Sequence, residues 1–170
     1  MTEKNESEGV EATAQSKMGG QLAIQKIYIK DVSFEAPNSP QVFLNEWKPQ
    51  VEVQLANHAL PLGNEVHEVV LTVTVTVQST VQSEDKTSYL VEVQQAGIFN
   101  ISGFPPPHLS TVLATVCPNI LFPFAREAIS DLVTRGGFPQ LLLAPVNFEL
   151  LYAQELQRQQ EASAPEEPVH

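Results

Sequence analysis

The segment HEVVLTVTVTVQ, residues 67–78, constrains the fold more than any other part of the sequence. From Val69 to Val77 every second residue is a large aliphatic one, and most residues between them are threonine. Period-two alternation of this length, rich in β-branched side chains, is typical of a half-buried strand in an antiparallel sheet. Other elements must therefore cover one face of the sheet and leave the opposite face to solvent.

Three further extended runs predict the rest of this sheet. Residues 88–101, SYLVEVQQAGIFNI, alternate again, and Gly97 is a candidate bulge where the alternation slips. Residues 50–56, QVEVQLA, place valine and leucine side chains on one face, whereas residues 23–35, AIQKIYIKDVSFE, are mixed on both faces. We therefore expect roughly four antiparallel strands.

A helical half follows the strands. Apolar residues at helical spacing predict a helix from about Leu109, in which Pro118 interrupts or kinks the path and Pro123 occupies the first turn of a continuation. Arg135, followed by a pair of glycines, marks the end of this helix. Asn147 is the predicted N-cap of a last helix. Strands followed by helices predict an α+β domain with the helices on one side of the sheet.

The ends of the chain differ in composition from its middle. Residues 1–20 and 161–170 are polar and acidic, with almost no large apolar side chains, and both are predicted to be disordered tails. Residues 21–160 are predicted to form a single ordered domain. The proline-containing stretch 35–50 is predicted to cross between the first two strands as a long loop, yet its apolar residues argue against disorder.

The charge of the chain limits its partners. Nine lysine and arginine residues against twenty aspartate and glutamate residues give a formal net charge of −11, which repels the phosphates of nucleic acid and of anionic membranes. Basic proteins are suitable partners, and solubility alone would also explain the charge. The single cysteine, Cys117, fits a reducing compartment, and no signal-peptide pattern is present. We expect a cytoplasmic protein that does not insert into membranes.

No catalytic or metal-binding motif is found in the sequence. Neither a dinucleotide-binding nor a phosphate-binding glycine motif occurs, and there is no nucleophile elbow. The four histidines lack the short spacing that metal ligands usually show. Cys117 lies on an apolar helical stripe, directly before a proline, and is therefore predicted to be a small core or interface residue. We therefore expect a protein that is not an enzyme and that uses no metal or cofactor.

Two surfaces remain as candidate sites, and the first is acidic. Strand alternation places Asp31, Ser33 and Glu35 on one face of the first strand, and Leu90 and Glu92 on one face of the last. If both are solvent faces of one sheet, three carboxylates surround an apolar residue and form a dock for a basic partner. The alternative is an ordinary solvated sheet face.

The second surface is apolar and comes from irregular segments and the last helix. Loops rich in aromatic and aliphatic side chains line a groove for an extended peptide in some proteins, and in others they pack on one another as a satellite core. The residues are Val42, Phe43, Leu44, Trp47, Phe138, Leu141, Leu142, Leu143, Phe148 and Leu151.

Four strings, DVSFEAPNSP, EVQQAGIF, CPNILFPFARE and RGGFPQLLLAPVNF, resemble the SecB family of bacterial export chaperones in content and in order. The resemblance covers about Ile24 to Gln160. It implies an α+β fold with a four-stranded antiparallel sheet and two main helices packed on one side, assembled as a dimer of dimers. It also implies an ATP-independent cytosolic chaperone, which keeps precursor proteins unfolded and delivers them to the SecA motor of the general secretory pathway.

The resemblance also implies roles for individual residues. Asp31, Glu35, Leu90 and Glu92 match the family's SecA-contacting positions, and strand alternation groups the same residues. The crossing loop, the segment between the helices and the last helix match the family's client groove by region. The long middle helix matches the one that joins the two dimers. Its predicted interface residues are Leu109, Val112, Val116, Cys117, Ile120, Phe124 and Ala128.

Other classes of protein remain open. An antitoxin-linked SecB-like chaperone, or a small-molecule carrier, would be an oligomeric binding protein for another purpose. The intact acidic patch favours export over both. An enzyme would have to show saturable turnover.

Overall fold

The computed structural model describes residues 13–15, 19–81 and 83–163. An antiparallel sheet runs in the spatial order β1-β2-β5-β4-β3, so the four predicted strands are confirmed. A short fifth strand, β1, lies in the segment predicted as an N-terminal tail. Most of both predicted tails, residues 1–12, 16–18 and 164–170, lies outside the described residues. The strands are β1 (Thr13–Gln15), β2 (Gln21–Glu35), β3 (Gln50–Gly63), β4 (Val66–Val81) and β5 (Glu84–Ser102).

Two helical segments follow the sheet. The first runs from α1 (Pro106–Thr111) through a π-helical stretch (Val112–Val116) into α2 (Cys117–Arg135), and the second is α3 (Phe148–Ser163). α3 runs past the predicted domain boundary at residue 160. The predicted cap is confirmed, because Asn147 Oδ1 accepts a hydrogen bond from the Leu150 N–H at 2.9 Å.

The predicted interruption of the helix at Pro118 is confirmed, because a π-helical stretch lies immediately before it, whereas the predicted place of Pro123 in a first turn is wrong. Pro118 stands in the first turn of α2, and Pro123 lies inside the helix. A proline in an α-helix has no N–H and crowds the carbonyl four residues earlier. In the π-helical stretch a backbone N–H donates instead to the carbonyl oxygen five residues earlier, as the Cys117 N–H does to the Val112 oxygen. This wider turn makes room for the ring of Pro118.

The predicted alternation of β4 is confirmed by burial. Its odd-numbered side chains from Val69 to Val77 are all 0% exposed, and β5 adds Tyr89, Val91 and Val93 to the same layer. Each fully buried aliphatic side chain contributes about 1.5–3 kcal/mol to folding, so this layer contributes strongly to stability. α2 covers the layer from one side, as predicted, with Leu121, Ala125, Ile129 and Val133.

The long helix belongs to this core. By length and composition alone, the stretch Pro106–Arg135 is apolar enough to cross a membrane. Its inner face, however, packs against β4 and β5 and is buried there. A helix that is buried in the core of a folded domain is apolar as well, so length and composition do not distinguish it from a membrane-spanning helix.

One local prediction for the strands is wrong. Gly97 is not in a bulge, because it pairs regularly with Val69. A Cβ at Gly97 would lie 2.6 Å from the ring of Phe99, so the glycine makes room for a core aromatic side chain. The bulges of the first long strand, β2, lie instead at Gln25 and Lys30.

Candidate functional site

The register of the sheet brings the predicted acidic residues together. Opposed residues in an antiparallel pair share a face, and here that face is the one turned away from the helices. We call Asp31, Glu35, Leu90 and Glu92 the acidic patch. The opposed pairs of β2 and β5 are Glu35 with Leu90, Ser33 with Glu92, and Asp31 with Gln94.

The charges of the acidic patch are available to another molecule. Asp31 and Glu35 are exposed, and Leu90 and Glu92 are partly buried. Thr74 of β4 donates a hydrogen bond from Oγ1 to Glu92 Oε2 at 2.8 Å, which orients that carboxylate. Within residues 19–81 and 83–163 no salt bridge reaches a carboxylate of the patch. A cationic partner would therefore meet negative charge that no described lysine or arginine neutralises.

A carboxylate on the same face is paired within the chain. Glu68 of β4 is 9% exposed, and it accepts hydrogen bonds from Lys30 Nζ at 2.8 and 2.9 Å and from the Tyr28 hydroxyl. The Lys30 ammonium, and then the Tyr28 hydroxyl, hold the pKa of Glu68 below its ordinary value. The bond to Glu68 raises the pKa of Tyr28 to about 12. Sequence reasoning missed this cluster, because no local signal shows which distant residues meet across a sheet.

The predicted apolar groove separates into two sites. The first is an aromatic cluster of Phe34, Phe43, Trp47, Tyr89 and Phe138. The ring centroid of Phe138 lies 4.7 Å from that of Tyr89, 4.9 Å from Phe43 and 5.6 Å from Trp47, within the range of favourable aromatic contacts. Phe138 is 4% exposed and Phe43 is 48% exposed. The cluster thus has a buried centre and an accessible rim.

The accessible rim of the aromatic cluster belongs to the crossing loop, residues 35–50, which is held in place by contacts with the sheet. Its residues Gln41–Leu44 form one 3₁₀ turn, and Val42 inside it is buried. The Asn38 side-chain amide donates to the Thr87 carbonyl at 2.8 Å and ties the loop to β5. Val42 is therefore a core anchor rather than a groove residue, while Leu44 points into solvent at 84% exposure.

The second apolar site is a groove between β3 and α3, with a volume of about 640 Å³. Val53 and Leu55 of β3 line one side, and Leu151 and Tyr152 of α3 line the other, with Phe148 among the contacts. Phe148 and Leu151 were predicted for a client groove. The β3 residues were predicted only as a strand face, since the sequence does not show that β3 is an edge strand.

The segment between α2 and α3 contributes less than predicted. Leu143 is buried in the core, and Leu141, which is partly buried, packs against the core. Leu142, between them, is 68% exposed and lines a shallow surface groove with Arg126. Leu142 is therefore the most accessible side chain of the three.

The predicted interface residues of the long helix fall on two faces. Val112 and Cys117 are buried in the chain's own core, so they offer no surface to a second chain. Burial raises the pKa of the Cys117 thiol to about 12, which fits the expected role as a small core residue. Ile120 is partly buried, and it falls between two exposed residues, Val116 and Phe124, at spacings of four along the helix.

An open strand edge lies beside this helix. β1 pairs only with the first residues of β2, and the remaining edge of β2 has no partner among the described residues. Ile29 of β2 is 51% exposed and forms a shallow groove with Phe124 and Ala128. Leu109, the remaining predicted interface residue, is partly buried near the start of the helix.

The fold and these surfaces define a class of protein. A sheet with an acidic patch on one face, and with apolar sites beside its helices on the other, is suited to binding polypeptides. Across the described ranges no group of three or more histidine, cysteine, aspartate or glutamate side chains is placed to hold a metal ion.

Comparison with known proteins identifies the family within this class. The family model described as "Preprotein translocase subunit SecB" matches residues 14–159. The protein-export protein SecB of Methylococcus capsulatus is 55% identical over 148 residues, covering 87% of this chain and 93% of that relative. That of Stutzerimonas stutzeri is 47% identical over 170 residues and covers all of both chains. The chain belongs to the SecB family of protein-export chaperones.

A solved structure is similar in fold. The SecB-like chaperone of Mycobacterium tuberculosis, in complex with a peptide from an antitoxin, matches with a TM-score of 0.57 at 20% sequence identity. The match covers 74% of this chain and 90% of that chain. The antiparallel sheet with two main helices is therefore the SecB fold.

Proposed function

We propose that this chain binds unfolded precursor polypeptides without ATP, keeps them competent for translocation and delivers them to the SecA motor. The family membership supports the export role, and the acidic patch carries the assignment of SecA as partner. The observation that matters most is the register that sets Glu35 opposite Leu90, with Glu92 two residues further along β5. Negative charge around an apolar residue attracts a basic partner and then gives it an apolar contact.

The client sites are the aromatic cluster and the groove between β3 and α3. An unfolded precursor exposes the apolar and aromatic side chains that its folded form buries. Their burial is worth about 25 cal/mol per Å², so several weak contacts on one chain sum to useful affinity. The peptide held by the Mycobacterium tuberculosis relative supports this kind of ligand. A small-molecule carrier buries most of its ligand in a cleft or cavity, whereas these sites open broadly to solvent.

The assembly is a homotetramer, a dimer of dimers, in the cytoplasm. Its interfaces use the exposed helix residues Val116 and Phe124 and the open edge of β2 with Ile29. A net charge of −11 per chain keeps an assembly with apolar grooves soluble. The same charge disfavours nucleic acid and membrane insertion, and the protein works as a binding protein without metal, cofactor or catalysis.

Titration with purified SecA tests the partner assignment. Leu90→Arg places a cation in the centre of the patch, and we expect the affinity for SecA to fall by roughly 2 kcal/mol or more, the loss typical of a central contact. Asn100→Arg, on the same face of the same strand but far from the patch, is the matched control and should bind normally. Equal affinity of Leu90→Arg and wild type would remove the patch from the SecA interface.

A further inference from the structure

β2 contains a bulge beside the acidic patch. Ile29 pairs with Gln95 and Asp31 pairs with Gln94, so Lys30 is an extra residue in the strand. One extra residue shifts every following side chain to the opposite face. The bulge at Lys30 therefore decides on which face of the sheet the side chains of residues 31–35 lie.

This shift decides which residues form the patch. With the bulge, Asp31 and Glu35 lie on the outer face and Phe34 turns inward to the aromatic cluster. The two bulges also explain why residues 23–35 look mixed on both faces. In an uninterrupted strand the outward side chains would be Lys30, Val32 and Phe34.

The bulged residue is anchored across the sheet. Lys30 Nζ donates to both carboxylate oxygens of Glu68, and the Tyr28 hydroxyl donates to the same carboxylate. Glu68 lies on β4, so the Lys30 side chain crosses β5, where Ala96 is small and fully buried. The Gln95 side-chain amide donates to the Tyr28 carbonyl at 3.0 Å. The backbone just before the bulge and the bulged side chain are thus held by separate contacts.

We propose that Lys30, held by Glu68, is a positioning residue for the acidic patch. Its ion pair fixes the bulge that turns Asp31 and Glu35 toward the docking partner. The inference rests on the proposed function, because it treats the patch as the SecA dock. Lys30 is not itself a contact for SecA, since its positive charge is paired with Glu68 and would repel a basic partner.

The substitution Lys30→Met separates positioning from simple charge. Methionine keeps an unbranched side chain and removes the cation. If Lys30 acted only through its charge, its loss would make the face more negative and tighten the binding of a basic partner. If Lys30 positions the patch, we expect affinity for SecA to fall by about tenfold, the size of one lost charge-assisted contact.

The chain offers a matched control and a rescue. Lys26 lies on the same face of the same strand, opposite Ile98, and takes part in none of the salt bridges between described residues. Lys26→Met should leave SecA affinity unchanged or slightly raised. Lys30→Arg retains a cation that pairs with a carboxylate through two bonds, and it should bind SecA within about twofold of wild type.

Two measurements are made on each full-length variant. Calorimetric titration with purified SecA gives the docking affinity, and titration with a denatured secretory precursor gives the client affinity. In Lys30→Met we expect selective loss of SecA binding with client affinity unchanged. Hydrogen exchange at the Asp31 amide should also become faster, because the bulge loses its anchor.

Each outcome supports or overturns a stated claim. If wild type does not bind SecA, the proposed function fails. If wild type and Lys26→Met bind SecA, and Lys30→Met binds as tightly or more tightly, only the positioning role is overturned. Equal loss of SecA and client binding would make the ion pair a general structural bond and would also overturn it. Glu68→Gln, which removes the other partner, must also make hydrogen exchange at the Asp31 amide faster, and unchanged exchange there would overturn the anchoring of the bulge.

Discussion

Gly136 provides a direct test of the aromatic cluster, because an alanine there would collide with it. A Cβ at Gly136 would lie 2.3 and 2.7 Å from two ring atoms of Phe34. The ring must retreat by more than about 1 Å to reach ordinary contact at about 3.5 Å. Its stacking on Tyr89, now at 5.8 Å between centroids, and its contact with Phe138 at 6.4 Å would both change.

The expected cost of Gly136→Ala is set by two opposing effects. The φ of Gly136 is −70°, so alanine fits the backbone, and the smaller entropy of the unfolded chain favours it by about 0.4–1 kcal/mol. Overpacking of a core costs about 1–3 kcal/mol. We therefore expect a net destabilisation of roughly 0.5–2 kcal/mol. The single tryptophan of the chain, Trp47, reports the change by fluorescence, since its ring belongs to the same cluster.

Urea denaturation at a fixed protein concentration measures this cost, because the proposed assembly would make stability depend on concentration. The matched control is Gly136→Ala in a Phe34→Leu background, where the smaller side chain relieves the collision. There the alanine should be neutral or stabilising, and the two substitutions should couple as contacting residues do. The same loss of stability in both backgrounds would refute the collision with Phe34 as its cause.

Three further predictions concern the client site, the buried ion pair and the assembly. Trp47→Ala should weaken binding of an unfolded precursor by roughly 1–3 kcal/mol in calorimetry, with Lys48→Ala as the exposed neighbouring control; an unchanged dissociation constant would remove Trp47 from the site. Glu68→Gln should lower stability at pH 7 by about 1–2 kcal/mol, since it breaks a charge-assisted bond to a partly exposed Lys30. The pKa of Glu68 is lower in the folded chain than its ordinary value of 4.5, so its contribution to stability is complete above about pH 4.5 and is lost as pH falls through the folded pKa. The free energy of unfolding, measured with urea from about pH 6 to pH 3.5, should therefore depend less on pH in the variant than in wild type. The same dependence on pH in both proteins would contradict this. Phe124→Asp puts a charge on the exposed helix face, and light scattering should show an assembly smaller than the proposed tetramer; an assembly of the same size as wild type would exclude that face from the interface.

Local pattern was sufficient for most of the fold. The alternation from Val69 to Val77 predicted a strand with one buried face, and the cap at Asn147 predicted the start of α3. The prolines were harder to place, because the π-helical stretch before Pro118 depends on how the chain satisfies one displaced hydrogen bond. Gly97 was misread for a related reason, since only the packed core shows that Phe99 occupies the space of a side chain.

The candidate site could be predicted where it was enough to know on which face of a strand, or in which segment of the chain, a residue lies. Alternation grouped Asp31 with Glu35, although it did so without the knowledge that a bulge at Lys30 resets the strand. The contact of Lys30 with Glu68 is 38 positions apart in sequence, and no local signal identifies such partners. For the same reason, sequence alone did not separate Val112, which is buried in the core, from the exposed Val116.

The refolding of a denatured secretory precursor tests the central claim most directly. Fluorescence follows refolding with and without the full-length protein, in the absence of nucleotide, and purified SecA is then added. We predict that refolding stalls in proportion to the concentration of the assembled protein, and that SecA binds the complex of chaperone and precursor. Unhindered refolding, with protein that light scattering has shown to form the proposed tetramer, would contradict the assignment of the aromatic cluster and the groove as client sites.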